Sequence, residues 1–442
     1  MTSERRATIY APATPPGRSA LGVLRISGAA AGLVAERLAG RVPAPRRATL
    51  AALRDPASGG LLDRALLLFF PAPGSSTGED VLEIQHHGGV AVARSLVEVL
   101  AAMPELRPAE PGEFTRRAFL AGRLDLTAAE GLADLIDATS AAQAKAALRQ
   151  MDGALGRRYA DWRERLLRAL ALLEAEIDFA AEEEVPDRLW ASVEPDLAAL
   201  AAELGRHLDD GRRGERLRAG LAIAVIGAPN VGKSSLVNAI TQRDVAIVTP
   251  FAGTTRDVIE VALDLDGLPV TLLDTAGLRD SEDPIEREGI ARAKARAAAA
   301  DLRLLVVDDP ADLPGSEAHD PATLRVLNKL DLCDSHALPA GVIAVSAATG
   351  EGLERLLAAL AAGARAMLPG TDEVLLTRAR HRTALHDALA ALERALALGV
   401  AGDLGLLAEE VRLAGRALGR ITGAFGVEDI LDRVFSEFCI GK

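Results

Sequence analysis

The 442-residue sequence is poor in cysteine, in aromatic side chains and in long apolar runs. These deficits exclude particular classes of protein. Its two cysteines, Cys333 and Cys439, cannot form a disulfide scaffold and suit a reducing compartment. No apolar stretch approaches the ~20 residues that span a bilayer, and no signal-peptide pattern stands at the N-terminus. We therefore expect a cytoplasmic protein without a membrane segment. Aromatic residues make up only 3% of the chain, and alanine and leucine fill the predicted helices instead.

Acidic residues outnumber basic ones, 63 to 50. The formal net charge is −13 at pH 7, which argues against a generally basic surface for nucleic acid. RNA binding would need a local basic face, for which the pairs at 157–158 and 212–213 are weak candidates, since such pairs are typical of solvated helix surface. The length exceeds the size at which a single hydrophobic core stops growing, so roughly two to four domains are expected.

The strongest positive signal is the segment 227–234, GAPNVGKS, which directly follows the apolar run 221–226. It matches the phosphate-binding loop G-x-x-x-x-G-K-[ST], with a predicted strand before it and a predicted helix after it. The glycines let backbone N–H groups turn toward phosphates, and Lys233 reaches the β and γ phosphates. The Ser234 hydroxyl is placed to bind Mg²⁺. We therefore predict a nucleotide-binding unit.

Two later segments indicate which base is bound. In GTPases an N-K-x-D element, here 328–331, sets its aspartate against the N1–H and 2-amino groups of guanine. Adenine lacks both donors, so Asp331 would stay unpaired against it, and such sites reject the wrong ligand strongly. After the apolar run 342–345, Ser346 and Ala347 resemble the loop that braces guanine in the same proteins. The pattern favours GTP over ATP.

Two segments lie between the phosphate loop and the N-K-x-D element. An apolar strand ends in D-T-A-G, where Asp274 would hold Mg²⁺ through water and the Gly277 N–H would sense the γ-phosphate. The next residue, Leu278, stands where Ras-like GTPases have a water-orienting glutamine, so another group must position water or GTP is not hydrolysed. The segment 249–257 resembles the switch-I signature G-T-T-R-D of translation-related GTPases, in which Thr255 completes the Mg²⁺ shell.

The predicted nucleotide site therefore draws on five segments of the chain, with Ser234 and Thr255 on Mg²⁺. Its residues are Asn230, Val231, Gly232, Lys233, Ser234, Ser235, Thr249, Pro250, Phe251, Ala252, Gly253, Thr254, Thr255, Asp274, Thr275, Ala276, Gly277, Asn328, Lys329, Asp331, Ser346, Ala347 and Ala348.

The hydropathy pattern changes along the chain and predicts its organisation. Residues 1–120 and 220–368 alternate short strands with helices, whereas 121–219 and 369–442 are almost wholly helical. We predict a multidomain α/β plus all-α protein, with an N-terminal α+β domain, a helical domain in two parts and a Ras-like P-loop GTPase domain inserted between those parts. Insertion follows because neither helical block can bury its apolar stripe alone.

Short apolar runs predict the strands, at 8–11, 21–26, 65–70, 81–84, 221–226, 258–265, 269–273, 302–307, 324–327 and 342–345. Apolar residues recur at helical spacing over 88–102. In the first helical block Leu166, Leu170, Leu173 and Ile177 fall at i, i+4, i+7 and i+11, which predicts one apolar stripe facing a partner helix.

Several further segments carry a specific resemblance to a known family. They are ATPPGR at 13–18, LRISG at 24–28, TGEDVLE at 77–83, PGEFTRRAF at 111–119, LDL at 124–126, ADLIDA at 133–138 and FCIGK at 438–442. In this order, together with the GTPase motifs, they resemble the MnmE (TrmE) family of tRNA-modification GTPases over essentially the whole chain.

The resemblance implies a function. Members of this family are K⁺-stimulated GTP hydrolases that work with a flavin-binding partner, MnmG (GidA), which carries FAD. Together they add an aminomethyl or carboxymethylaminomethyl group to C5 of the tRNA wobble uridine at position 34. The one-carbon unit comes from 5-formyl- or 5,10-methylene-tetrahydrofolate, bound by the N-terminal domain. The matching positions here are Arg25, Glu83, Arg123 and Lys442. Arg123 stands where some relatives have lysine, which keeps the charge but not the geometry.

The resemblance also implies the missing hydrolytic group and the assembly. Glu286 aligns with the glutamate that orients the attacking water. A bound K⁺ would be held by Asn230, Thr249, Phe251 and Thr254, in a loop that is completed when two GTPase domains meet. Cys439 belongs to the C-terminal motif needed for modification, either as a nucleophile or by shaping the site. The implied assembly is a homodimer through the N-terminal domain, and a heterotetramer with MnmG.

Two alternatives stay open at this point. One is a GTPase switch of the ribosome-assembly type, which shares the G-T-T-R-D and D-T-A-G segments but modifies nothing itself. The other is a helical scaffold whose GTPase unit only regulates assembly. The N-terminal folate-like segments and the CIGK end at 439–442 discriminate, because a pure switch has no use for either.

Overall fold

The computed structural model divides into two compact units. The first unit comprises Met1–Ala133, Met151–Leu167 and Gly415–Lys442, and the second comprises Asp134–Gln150 and Arg168–Ala414. The residues that the structure describes are 7–179, 189–243, 260–274, 298–313, 320, 322–332, 339, 341–368, 376–399, 403–424, 428–436 and 438–441.

A six-stranded sheet with strand order β3-β4-β5-β2-β1-β6 forms the centre of the first unit. Its strands are β1 Thr8–Pro12, β2 Leu21–Ser27, β3 Thr49–Arg54, β4 Leu61–Phe70, β5 Val81–His87 and β6 Leu106–Pro108. All neighbours are antiparallel except β1 and β6. Helices α1 Ala31–Ala39 and α2 Val90–Ala101 pack on one face, where Leu24 and Ile26 are fully buried. Because side chains alternate along a strand, Arg25 lies on the opposite face.

That opposite face carries a second layer of helices. Helix α3, Glu113–Leu120, covers β1, and its Phe114 packs on Ile9 and Ala11. The start of α4, Leu126–Asp137, and the last helix, Glu428–Ser436, build a further small core that contains Phe435 and Phe438. The first unit therefore contains both the N-terminal sheet and the C-terminal end of the chain.

The remaining helices before the nucleotide unit are α5 Ala141–Met151, α6 Ala154–Phe179, α7 Leu189–Leu208 and α8 Arg213–Ala219. On α6 the predicted apolar stripe is correct for Leu166 and Leu173, which are buried, and Leu170 is half-buried. It is wrong for Ile177, which is 39% exposed. Ile177 lies in the last turn of the helix, and an apolar period shows which face is covered but not how far the covering element reaches.

The second compact unit contains the nucleotide-binding part of the chain, here called the nucleotide unit. Its centre is another six-stranded sheet, with strand order β12-β11-β10-β7-β9-β8. Its strands are β7 Leu221–Ile226, β8 Glu260–Leu265, β9 Leu268–Asp274, β10 Leu302–Val307, β11 Thr323–Leu327 and β12 Val342–Ala344. Only the β8–β9 pair is antiparallel. Helices α9 Lys233–Thr241 and α10 Leu353–Met367 contribute to its core. Parallel strands buried on both faces explain the continuous apolar runs.

Among the described residues after the nucleotide unit there are three helices: α11 Ala379–Leu398, α12 Leu404–Thr422 and α13 Glu428–Ser436. In the second unit α11 packs along α7, so a helix from after the nucleotide unit covers a helix from before it. Arg382 on α11 reinforces this contact by donating to the Leu208 carbonyl and to the carboxylates of Asp210 and Glu215. The exact domain boundaries stay predictions. Within the described ranges, every helix is too short or too polar to cross a bilayer.

Candidate functional site

The phosphate loop connects β7 to α9 at the carboxyl edge of the parallel strands, where ligands bind in open α/β sheets. Both of its motif glycines are sterically required. Gly227 has φ +149°, and a Cβ there would lie 2.2 Å from the Val306 carbonyl oxygen. Gly232 has φ +90°, and its Cβ would lie 2.3 Å from Nδ2 of Asn328. The two glycines let the loop pass close to the neighbouring segments of the sheet edge.

Lys233 is buried inside this loop. Its ammonium donates to the carbonyl oxygens of Gly227 at 2.9 Å and Ala228 at 2.8 Å. Ser234, half-buried, follows in the first turn of α9, whose N-terminal N–H groups favour an anion. Asn230 is exposed and has φ +66°. The predicted phosphate-binding residues therefore lie together around the N-terminus of one helix.

Asn328 joins three predicted segments through one buried side chain. Its Nδ2 donates to the Val231 carbonyl in the phosphate loop at 3.0 Å. Its Oδ1 accepts from the Ala347 N–H at 3.1 Å. These two bonds connect the phosphate loop, the N-K-x-D element and the S-A-A segment, which lie far apart in the chain. The three segments form one site.

Asp331 and Lys329 are each held by a further partner. Asp331 accepts from Oγ of the buried Ser346 at 2.5 Å. Lys329 donates to Asp308, with Nζ 2.6 Å from Oδ2. This hydrogen bond lowers the pKa of the Asp308 carboxyl from its ordinary value. Asp308 was missed by the sequence analysis, although its place directly after β10, at the same sheet edge, is a usable signal.

Asp274 is buried at the end of β9, directly opposite Val225 of β7 in the register of the parallel pair. It thus lies beside the strand that leads into the phosphate loop. The other predicted residues of the motif loops lie outside the described residues, as do Glu286 and Lys442. The nucleotide-site residues concerned are Thr249, Pro250, Phe251, Ala252, Gly253, Thr254, Thr255, Thr275, Ala276 and Gly277.

Two further predicted residues, Arg25 and Glu83, lie together on the face of the N-terminal sheet that also carries α3. Arg25 on β2 and Glu83 on β5 are direct partners in the antiparallel register. Nη2 of Arg25 lies 2.9 Å from Oε1 of Glu83. The guanidinium also stands 5.8 Å from the centre of the Phe114 ring on α3. Arg123 lies against Gly78, since a Cβ at that glycine would be 3.8 Å from Nε of Arg123.

The C-terminal tail lies against the same sheet. Phe438 is buried and packs on Phe435, with ring centres 5.8 Å apart. Gly441 has φ +101°, and a Cβ there would lie 2.1 Å from the carbonyl oxygen of Pro12 at the end of β1. Cys439, between them, is exposed and carries a free thiol. The structure therefore places the tail one strand away from Arg25, because Ala11 pairs with Arg25.

A buried ionic network supports this face. Arg117 is only 7% exposed and lies 2.8 Å from a carboxylate oxygen of Glu79 and 2.8 Å from one of Glu113. Glu113, 8% exposed, also binds Arg107 at 2.6 Å. Burial alone would raise the pKa of Glu113, but hydrogen bonds from Arg107, the Glu110 N–H and Arg117 outweigh it and lower that pKa. The sequence analysis did not single out these charges.

Comparison with known proteins identifies the family. The family model for the GTP-binding protein TrmE N-terminus matches residues 8–123, and the model for the MnmE helical domain matches 126–439. The tRNA modification GTPase MnmE of Parvibaculum lavamentivorans is 54% identical over 439 residues, covering 98% of this chain and 100% of the relative. The chain belongs to the MnmE family.

Other relatives agree with this assignment. The tRNA modification GTPase MnmE of Rhodospirillum rubrum is 53% identical over 455 residues, covering 98% of this chain and 99% of the relative. The predicted resemblance and the predicted fold class are confirmed. The match to the MnmE helical domain encloses the whole nucleotide unit. Among solved structures, the G domain of the T. maritima FeoB iron transporter is 27% identical, covers 32% of this chain and 98% of its own, and has a TM-score of 0.23.

Proposed function

We propose that this chain is a GTPase that acts in the modification of tRNA at the wobble uridine. The observation that carries the proposal is the Asn328 side chain, which holds the phosphate loop, the N-K-x-D element and the S-A-A segment together. A site that presents Asp331 to the base and Lys233 to the phosphates suits guanosine triphosphate. Relatives that are 54% and 53% identical to this chain are named tRNA modification GTPases.

The described residues also suit Mg²⁺. The Ser234 hydroxyl and the buried Asp274 carboxylate are hard oxygen donors at the sheet edge, which is the chemistry that Mg²⁺ prefers. Bound Mg²⁺ would neutralise charge on the β and γ phosphates. Lys233 now donates to two carbonyls, and phosphate oxygens would replace these acceptors when the nucleotide enters. Thr255 and Glu286 are proposed to complete the Mg²⁺ shell and to orient the attacking water.

We assign the charged cluster on the N-terminal sheet to a tetrahydrofolate. The glutamate carboxylate of a folate requires a cation, and its guanidine-like pterin edge requires a carboxylate. Arg25 offers the cation and Glu83 the carboxylate, on neighbouring strands, and the two side chains form an ion pair with each other in this structure. Arg123 and Lys442 would add positive charge. Cys439 would lie at this site because the tail contacts Pro12 beside β2.

The proposed assembly is a homodimer formed through the N-terminal sheet, and a heterotetramer with the flavin-binding partner MnmG. Leu50 and Leu66 face each other on β3 and β4 and are 65% and 38% exposed. Leu21, on β2 of the same sheet, is also exposed. A group of exposed leucines on one sheet face is typical of a protein interface. The tRNA substrate would place this activity in the cytoplasm.

The rival proposals, a ribosome-assembly switch and a scaffold, need only the nucleotide unit. They leave the paired Arg25 and Glu83, and the docking of Gly441 on Pro12, without a role. These two features therefore favour a modifying enzyme.

Mass spectrometry of tRNA nucleosides tests the proposal. In cells that lack the protein we expect the 5-substituted wobble uridines to disappear, and the wild-type chain to restore them. Lys233→Ala, which removes the phosphate contact, should restore none. If the nucleosides persist without the protein, the proposal is wrong. If they disappear and Cys439→Ser restores them as well as wild type, the thiol is not needed.

The proposed K⁺ site makes a separate prediction about the rate of GTP hydrolysis. A cation bound beside the β and γ phosphates stabilises the charge that develops there, and a coordination shell sized for K⁺ fits the smaller Na⁺ poorly. GTP hydrolysis should therefore be on the order of tenfold faster in KCl than in NaCl. Asn230→Ala should remove most of this difference, because it removes a side-chain oxygen from the proposed K⁺ shell. Equal rates in the two salts with the wild-type chain would contradict a K⁺ site while leaving the GTPase intact.

A further inference from the structure

Each polar residue of the segment 328–331 has its own anchoring partner. Asn328 bonds the phosphate loop at 3.0 Å, and Asp331 bonds Ser346 at 2.5 Å. Lys329 bonds Asp308, at 2.6 Å. The partners of Asn328 and Asp331 belong to segments that the GTPase motifs account for. Asp308 belongs to none of them, so its contact with Lys329 requires a separate explanation.

The backbone of Lys329 is unusual. Its φ is +60°, in the left-handed region that non-glycine residues rarely adopt and that persists only where the surroundings enforce it. Two bonds enforce it here. The Leu330 N–H donates to the Val345 carbonyl at 3.0 Å, and the Leu332 N–H donates to the Lys329 carbonyl at 2.8 Å. The direction in which the Lys329 side chain leaves the backbone is therefore set.

The sheet order places Asp308 between the phosphate loop and the N-K-x-D element of the nucleotide site. β10 lies between β7, which leads into the phosphate loop, and β11, which leads into Asn328. Val307 pairs with Leu327, so Asp308 stands beside Asn328 at the sheet edge. The methylene chain of Lys329 thus runs from the 328–331 segment back toward β10. It crosses the side of the site between the phosphate loop and Asp331, where the nucleoside must lie.

The ion pair contributes little to folding in its own right. Both side chains are partly exposed, and ion pairs in such positions contribute little to stability. A free lysine, however, has many rotamers, and ordering it on ligand binding carries an entropy penalty. A carboxylate that already orders the lysine removes this penalty from the binding step.

We propose that Asp308 is a positioning residue of the guanine nucleotide site, which holds Lys329 across the nucleoside pocket before GTP or GDP binds. The proposal rests on the GTPase function proposed above. Lys329 would contact the nucleoside, which GTP and GDP share. Asp308 should therefore affect the affinities for GTP and for GDP equally and should not affect the chemical step.

The test is nucleotide binding and hydrolysis by full-length Asp308→Asn. We expect the Kd for fluorescent GDP and for a non-hydrolysable GTP analogue to rise together by about tenfold, as for loss of a preorganised contact. KM for GTP should rise by a similar factor, with kcat within about twofold of wild type. Asp308→Glu, which keeps the carboxylate, should recover most of the affinity. Because the pair is partly exposed, the difference between wild type and Asp308→Asn should shrink at high salt.

Asp309→Asn is the matched control. Asp309 is the adjacent carboxylate, and it accepts from the Ala311 N–H at the start of the short 3-10 helix Pro310–Asp312 rather than from Lys329. It should bind nucleotide like wild type. Equal affinities in wild type and Asp308→Asn, an equal loss in Asp309→Asn, or a loss for GTP alone would overturn the inference. A wild-type chain that binds neither GDP nor GTP would instead overturn the proposed function.

Discussion

Arg117→Met is expected to destabilise the N-terminal sheet by about 2 kcal/mol, because it removes one of the two arginines that bind the buried Glu113 and the arginine that binds Glu79. Arg117 donates to Glu79 at 2.8 Å, to Glu113 at 2.8 Å and to the Ala7 carbonyl at 2.9 Å. Methionine has a similar length but no charge and no donor. Hydrogen exchange of peptides from β2 and β5, measured by mass spectrometry on the full chain, reports the local free energy of opening. A global melting curve would not, because a chain with two units need not unfold in one step.

Arg37→Met is the control for this substitution. Arg37 also forms a two-pronged pair with a carboxylate, at 2.8 and 2.9 Å from Glu105, but that pair is exposed. We expect Arg37→Met to leave exchange in β2 and β5 unchanged. Equal protection in wild type and Arg117→Met would show that the buried network contributes nothing to the stability of the sheet.

The same network makes a prediction about pH. The pKa of Glu113 is lower in the folded chain than its ordinary value. A carboxyl with a lowered pKa stabilises the fold above its unfolded pKa, and this stabilisation is lost as the pH falls through the folded pKa. The difference in exchange between wild type and Arg117→Met should therefore be full at pH 7 and should narrow below about pH 4.3, the usual value for a glutamate.

Local pattern predicted most of the second unit because parallel strands are apolar over their whole length. The six predicted runs from 221 to 345 correspond to β7–β12 within a few residues. The first unit was predicted less completely, and β3, β6, α1 and α3 were missed. β6 has only three residues and exists because Leu106–Pro108 pairs with β1, almost a hundred residues earlier in the chain. A local pattern carries no record of such a pairing.

The candidate sites likewise combine features that the local sequence reveals with contacts that it does not. The phosphate loop is recognisable because backbone geometry demands glycines at set positions, and the structure has positive φ at both. The partners of the motif residues are not recognisable, because they depend on which strands are neighbours. Asp308 faces Lys329 only because β10 lies beside β11. Arg117 and Glu113 lie within a segment that carries the family resemblance, yet a charged helix gives no sign that its charges are buried.

Gly441→Ala is expected to reduce tRNA modification by on the order of tenfold or more and to leave GTP hydrolysis unchanged, since small displacements of a reacting group are costly to catalysis. At φ +101° an alanine is strained, and its Cβ would lie 2.1 Å from the Pro12 carbonyl oxygen and 3.0 Å from the carbonyl carbon. Both atoms belong to the backbone at the end of β1, so the tail must move rather than the sheet. The measurement is nucleoside mass spectrometry of tRNA from complemented cells, with GTP turnover by the purified variant.

Gly415→Ala is the matched control, because Gly415 lies within α12 and a Cβ there would meet nothing within 4 Å. Alanine in a helix interior should be neutral or slightly stabilising, so modification should remain normal. If Gly441→Ala modifies tRNA fully, docking of the tail on β1 is not needed for the reaction. If Gly441→Ala fails while Cys439→Ser succeeds, the tail acts through its position and not through its thiol. If both fail, the docking of Gly441 serves to hold the Cys439 thiol beside the strand that pairs with Arg25, which is where the one-carbon donor is proposed to bind.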